Sequence, residues 1–416
     1  MREHKIKILS FSRLLLISTF ILAIPNAHSS SLDSWFKYSW DYSPEIKSSE
    51  ASVKLVEANS LAASSDFMPS LFARYQYREN EQSRQTKVFS LNAEQNLFNG
   101  FGDFYSKKSN SKLLEAERSA LEYKKMSLAR IVGDTLLKLA STTTQMSILD
   151  ENAKILDKRL VEFKRRTRIG KSRDVDLIQN QIDRIQLERQ KATNKRNLLS
   201  ALATLKEYTG KDIQESPFSM GQLLKELDAY HSSLTKESFR RTELRHRLEA
   251  KEFSVQSKYS TYWPTLKGVA SYYPENDSRF SQYTDDWSVG VDLEWRFFEG
   301  FAGKAQLNQE KALRQLAESE LQRFENDNIE STQRLKDEWA QLLAERKLVA
   351  EAERLSVKSF KAQERDFRLG LVTVLELSNS DEQYLNLKLE KISIQEKLGL
   401  ILTQALESGG IEGLRL

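Results

Sequence analysis

The chain has 416 residues, a formal charge of +4, no cysteine and only four histidines, of which His4 and His28 lie near the N-terminus. Without cysteine there are no disulfides, thiolate metal sites, thiol nucleophile or lipidated cysteine, and His231 and His246 alone argue against a histidine-based catalytic or zinc site. Charged residues make up 29% and hydrophobic ones 39%, which at this length predicts extended amphipathic elements rather than several apolar cores.

In chain order, residues 1–29 read as a secretory signal peptide: Arg2, Lys5, Lys7 and Arg13 precede an apolar run from Leu14 to Ile24, then Ala27-His28-Ser29. The run is shorter than the ~20 residues of a membrane-spanning helix, and no later stretch exceeds it. Four basic residues against Glu3 account for +3 of the +4 charge, so the remainder is near neutral and gives no support for nucleic-acid binding.

A first repeat is expected over 30–205, with a strand pair and a long helical hairpin. The strands start after Pro69 with Leu71, Ala73, Tyr75 and Tyr77, and resume with Phe89, Leu91, Ala93 and Leu97 alternating against Ser90, Asn92, Glu94 and Asn96. Glu79 to Thr86 is a polar hairpin loop. Beyond Phe98-Asn99-Gly100-Phe101 proline is absent up to Ser216, and Leu128, Thr135, Thr142, Leu149, Leu156 and Phe163 repeat every seven residues beside Val132, Leu139, Met146, Ala153 and Leu160. That is a coiled-coil seam on a helix of about 100 Å. It turns near Gly170 and continues its heptad through Ile178, Ile185, Ala192 and Leu199.

Polar residues 206–240, with Pro217 and Gly221, read as a separate segment between the repeats. A second repeat is expected over 241–408, with 409–416 as a C-terminal tail. Its signature is an offset of 200 residues: Phe298-Glu299-Gly300-Phe301 answers Phe98-Asn99-Gly100-Phe101, and Arg365, Arg368 and Gly370 answer Arg165, Arg168 and Gly170. A helix tolerates no insertion in such a register, because one residue rotates everything beyond it by about 100°. Strands are predicted after Pro264 (Leu266, Gly268, Ala270, Tyr272) and, past the polar loop Pro274 to Asp286, from Trp287, whose apolar face carries Val289, Val291, Leu293, Trp295 and Phe297. Leu385 and Ile392 echo the first hairpin's heptad. Gly100 and Gly300 read as bends where strand becomes helix.

Heptads alone fit an ordinary coiled coil or filament, and one alternating strand fits a soluble sandwich. An export signal together with the charged face of Asp292, Glu294 and Arg296 fits a membrane strand lining a lumen, with Trp287, Val289, Val291, Leu293 and Trp295 facing lipid. Four strands cannot close a barrel, so several copies must combine.

The duplicated order of strand, Gly-containing bend, long helix and Arg-x-x-x-Gly-type turn resembles the TolC-like outer-membrane efflux family; the turns here read Arg168-Ile169-Gly170-Lys171-Ser172-Arg173-Asp174-Val175-Asp176-Leu177 and Arg368-Leu369-Gly370-Leu371-Val372-Thr373-Val374-Leu375-Glu376-Leu377. Ser43-Pro44-Glu45-Ile46 and Arg241-Thr242-Glu243-Leu244 resemble the short helix starts that open each of its repeats, and 206–240 would be its equatorial segment. The resemblance implies a mixed α and β membrane protein: a homotrimer whose four strands per subunit share one transmembrane β-barrel above a long periplasmic α-barrel of coiled helices. It implies a passive exit duct for small molecules or secreted proteins, partnered by a periplasmic adaptor and an inner-membrane pump, with outer-membrane lipid around it and no cofactor. It places hairpin tips at Gly170, Gly370, Arg168 and Arg368 for docking, and an acidic periplasmic entrance at Glu376, with Asn379 where a second carboxylate stands in the family. Asp176 matches Glu376 in the first half, and Arg173 is positioned to pair with a carboxylate that holds the entrance shut. Two other readings remain at this point: a periplasmic coiled-coil adaptor or scaffold, and an enzyme built on carboxylates.

Overall fold

A computed structural model describes residues 31–79, 85–169, 173–234, 237–274, 287–411 and 414. The signal-peptide reading, Gly170 and most of both polar hairpin loops lie outside the described residues. The elements are α1 (Ser31–Tyr42), α2 (Pro44–Ser65), β1 (Ser70–Glu79), β2 (Gln85–Phe98), α3 (Gly102–Arg168), α4 (Asp174–Thr209), α5 (Met220–Ser233), α6 (Phe239–Lys258), a one-turn 3-10 helix (Tyr259–Tyr262), β3 (Thr265–Tyr272), β4 (Trp287–Glu294), α7 (Ala302–Leu369) and α8 (Val374–Glu407).

Helices α3 and α7, of 67 and 68 residues, each run about 100 Å at the usual helical rise. Near its start α3 packs on α6, where the Ser109 hydroxyl donates to the Ala250 carbonyl at 2.8 Å. Further along it packs on α4 and α8, through Asn194 Nδ2 donating to the Thr142 carbonyl at 2.7 Å and an Arg159–Asp381 ion pair at 3.2 Å. The shorter helix α6 also holds α7, through Ser254 and Glu310 at 2.8 Å, as α8 does through Lys391 and Glu353 at 2.7 Å. Leu128, Thr135, Thr142, Leu149, Leu156 and Phe163 are all buried, so one face of α3 is a continuous seam.

On α4 the heptad expectation fails. Ile178, Ile185, Ala192 and Leu199 are exposed, and the face turned to the protein is Asn180, Leu187, Asn194 and Ala201. Leu385 and Ile392, the matching positions of α8, are buried. The reason is placement: α8 lies between α3 and α7, whereas α4 has α3 on one side and, over most of its length, no described element on the other.

The main core sits at mid-height and includes a helix that sequence reasoning missed. Leu32 and Phe36 of α1 are fully buried with Val132, Leu136, Leu223, Leu227, Leu398 and Leu402, and the spacing Leu32, Phe36, Trp40 is the i, i+4 stripe that would have revealed it. Although read as polar, the segment after α4 forms α5, whose Met220, Leu223, Leu224 and Leu227 are buried in the same core. The second repeat's first helix starts at Phe239 behind Ser238, two residues before Arg241.

The strands form one antiparallel sheet in the order β1-β2-β3-β4, leaving β1 and β4 as edges. Strand β4 ends at Glu294, so Trp295 and Phe297 lie beyond the strand predicted to contain them. Among the described residues it pairs only with β3, which starts at Thr265 opposite Glu294.

Candidate functional site

Three regions carry the features of a conduit. The first is the sheet. Because side chains alternate along a strand, the pairs Leu71–Ala93, Ala93–Ala270, Ala270–Val289 and Tyr272–Trp287 stack on one face. Val289, Val291 and Leu293 are 72%, 62% and 69% exposed there, and Trp287 and Trp295 flank them. Among the described residues nothing covers this face. The opposite face is polar: Ser271 Oγ donates to Asn92 Oδ1 at 2.8 Å, Asn92 Nδ2 donates to Ser90 Oγ at 3.0 Å, and Lys267 pairs in register with Asp292. An apolar outside backed by a hydrogen-bonded, charged inside fits a wall between hydrocarbon and water.

The second region is the pair of bends. Gly100 and Phe101 both take left-handed backbone (φ 64° each), as do Gly300 and Phe301 (φ 59° and 71°). Two consecutive left-handed residues turn the chain sharply from strand to helix. At Gly100 the first is glycine for a second reason also, since a Cβ there would lie 2.6 Å from Trp263 Cβ.

The third region is the far end of the hairpins. Gly370 closes α7 in left-handed backbone (φ 79°), its N–H bonded to the Phe367 carbonyl at 3.1 Å and that of Leu371 to Asp366 at 2.9 Å. Arg168 and Arg368 are exposed on the last turns, the latter paired with Glu364 at 2.9 Å. Sequence reasoning missed the apolar character of these tips: Ile169, Val175, Leu369, Leu371 and Leu375 are all exposed. Behind them Phe163, Phe360, Phe367, Val374 and Leu377 form a small core.

Glu376 occupies the third position of α8 and forms a capping box with Thr373: its carboxylate accepts from the Thr373 N–H at 2.6 Å and hydroxyl at 2.9 Å, while Glu376 N–H donates to Thr373 Oγ1 at 3.3 Å. Those donors hold its carboxyl below the usual carboxylate range. Asp176 stands at the same position of α4, accepting from the Arg173 N–H at 3.2 Å and guanidinium at 3.1 Å. Arg173 thus pairs within its own helix start. Asn379 lines a polar groove with Gln179, Asp183, Ser378 and Asp381, where the Ser378 hydroxyl donates to Asp183 at 3.0 Å and so bridges the two hairpins. Deeper still, burial pushes the Asp381 carboxyl up and Arg159 pulls it back without cancelling the effect.

At mid-height Asp134 accepts a short hydrogen bond from Thr403 and lies beside Arg130 and Glu407. Burial pushes its carboxyl up to about 6 against the opposing pull of Thr403 and Arg130. His231 Nε2 accepts from the Ile411 N–H at 2.9 Å, anchoring the C-terminal segment to α5. Among the described residues no helix is long and apolar enough to cross a membrane, and no three His, Asp or Glu side chains converge as a metal site.

The fold recurs in known proteins. The fold is similar to a membrane protein of Pseudomonas aeruginosa (TM-score 0.77, 15% identity, 92% of each chain covered) and to the outer membrane protein VceC of Vibrio cholerae (0.77, 15%, 92% of this chain and 97% of that one). It is also similar to the MtrE outer membrane channel of Neisseria gonorrhoeae (0.74, 13%, 91% and 89%). No curated protein sequence matches the chain significantly. The family described as outer membrane efflux protein matches residues 40–211 and 237–400, which together span most of the 416. With that match over both repeats, the chain belongs to the outer membrane efflux protein family.

Proposed function

We propose that several copies of this outer-membrane efflux channel, most simply three, close into one duct, and that the duct is passive, its energy and choice of cargo coming from a periplasmic adaptor and an inner-membrane pump. The observation that carries the oligomer is the sheet. It has two open edges and an uncovered apolar face, and open edges in hydrocarbon leave backbone groups unpaired at several kcal/mol each. Since bacterial membrane barrels have at least about eight strands, the four strands described here need other copies; three copies give twelve. The exposed apolar tips around Leu369, Leu371 and Ile169, flanked by Arg168 and Arg368, suit adaptor docking. Mass measurement in detergent tests the oligomer, and a monomer that keeps its β signal would overturn it.

Glu376 is assigned to the periplasmic entrance, where one carboxylate per copy would gather near a common axis and attract counter-ions. Its capping role does not use up its charge, because the side chain is solvent-exposed. Glu376→Gln is the informative change: glutamine also completes a capping box, so the helix start survives while the charge goes. Cation block of conductance in planar bilayers should fall. Equal block in both proteins would remove Glu376 from the constriction.

A further inference from the structure

The contact between copies can be read from a contact inside the chain. Strand β1 pairs Ser70 with Glu94 of β2, and adding 195 to the first number and 200 to the second gives Thr265 with Glu294, the observed start of the β3–β4 ladder. The two offsets therefore carry one hairpin of the sheet onto the other without a slip. The central ladder, β2 on β3, joins the first repeat to the second, with Leu91–Tyr272, Ala93–Ala270, Glu94–Val269 and Asn96–Lys267, then a bulge at Leu97, then Phe98–Leu266.

Applying the same offsets to that ladder yields the ladder that joins the second repeat to the first repeat of another copy. Resting on the oligomeric duct proposed above, we infer that β4 pairs antiparallel with β1 of the next copy in the register Val291–Tyr77, Leu293–Tyr75, Glu294–Arg74, Arg296–Phe72 and Phe298–Leu71, with a bulge at Phe297. Glu294 then faces Arg74 of the next copy on the lumen side.

Three independent features of the chain fit this seam. Strand β2 runs to Phe98 whereas β4 stops at Glu294, and Trp295 to Phe298 are the residues for which the register supplies a partner from outside. The bend at Gly100 is seated on Trp263, but a Cβ at Gly300 would meet nothing within 4 Å. The offset carries Trp263 to Met68, which is 69% exposed just before β1, so that the next copy's Met68 fills the same role for this Gly300. Finally, α8 is covered by α3 and α7 inside the chain. The same operation lays α7 over α4 of the next copy, bringing the exposed Leu348 and Leu355 to the side of the duct that carries the exposed Ile178, Ile182 and Ile185.

Faces restrict the alternatives. A slip of one residue sets apolar side chains against polar ones. A slip of two places Glu294 opposite Gln76 or Phe72, about 7 Å along the strand.

The natural absence of cysteine makes the test clean. Three double variants of the full chain, assembled in the outer membrane, each combine Arg74→Cys with one of Asp292→Cys, Glu294→Cys or Arg296→Cys. A disulfide needs Cα atoms within about 7 Å, so oxidation should carry most of the Glu294→Cys pair into covalently linked oligomers and leave the other two near background. Preferential linking through Asp292→Cys or Arg296→Cys would overturn the register and leave the duct intact. No linking in any pair, from protein that detergent mass measurement shows to be oligomeric, would overturn β4–β1 pairing. A monomeric mass would take away the underlying duct reading instead. As a second arm, Glu294→Arg and Arg74→Glu should each lower the temperature at which the detergent-resistant oligomer dissociates, and combining them should restore it; no restoration would overturn the ion pair.

Discussion

Helices α4 and α8 occupy matching places in the two repeats, with Ile185 answering Leu385 and Ala192 answering Ile392. They nevertheless meet different surroundings. In α8 these positions are buried, Leu385 against Leu149, Leu156 and Leu187, and Ile392 in the main core that includes Leu342 and Val349 of α7, while in α4 they are exposed and the buried stripe contains Asn180 and Asn194. One pattern serves two purposes, intramolecular packing in the second repeat and an open surface in the first. A duplicated chain that builds a ring must leave its first and last elements half covered, since the contacts that would complete them belong to another copy.

The sharpest way to break this comparison is at Arg159 and Asp381, 8% and 6% exposed, a cross-repeat ion pair with no counterpart on the open side, where Ser359 and Gln181 stand. Arg159→Met should destabilise by about 3 to 5 kcal/mol because it strands a buried carboxylate, whereas Arg159→Met with Asp381→Leu should recover most of the loss. Thermal unfolding followed by helical circular dichroism reads both. If the single variant unfolds like wild type, α8 is not held as described.

Next comes the direct comparison. Leu385→Ala should cost about 2 to 5 kcal/mol of folding stability, while Ile185→Ala should leave the dissociated chain within about 0.5 kcal/mol of wild type and weaken only the oligomer. Equal effects on the dissociated chain would erase the distinction between the helices. In the sheet, Val291→Arg should cost about 2 to 4 kcal/mol per subunit if it meets the bilayer midplane, and Asp292→Asn little. Comparable losses of assembled protein from both changes would mean that the wall faces the other way.

The smallest effect tests the mid-height junction of α3 and α8 by pH. Asp134 has a folded pKa raised to about 6 from the ordinary 3.8, so its ionisation opposes folding. The penalty is absent below the ordinary value and complete above the folded one. Between pH 7 and pH 4 wild type should therefore gain about 2 kcal/mol relative to Asp134→Asn. Thermal midpoints of the two proteins across that range check it; parallel curves would show that Asp134 is better solvated than its packing against Thr403 indicates.

Much of the architecture was legible because it is periodic. The Leu128-to-Phe163 heptad, the alternation of Trp287 to Leu293 and the 200-residue offset depend on the geometry of single helices and strands, and each is recovered in the fold. Gly100 and Gly300 were legible as bends because strand and helix patterns meet there. Helix α1 was missed because its stripe of Leu32, Phe36 and Trp40 is short. Glu376, Asp176 and Arg173 were legible as charges, but their bonds were not: the pairings of Glu376 with Thr373 and of Asp176 with Arg173 arise only once the helix starts have folded.

By itself, then, the sequence determined the elements, their lengths and which faces are apolar, because backbone periodicity and the avoidance of water act locally. Only the tertiary structure decided which apolar face is satisfied. Whether Ile185 or Leu385 is buried depends on which helix lies alongside, and that follows from the order of elements around an incomplete ring. The register connecting one copy to the next is likewise absent from any single strand, and emerges only when the ladder between β2 and β3 supplies a pattern to repeat.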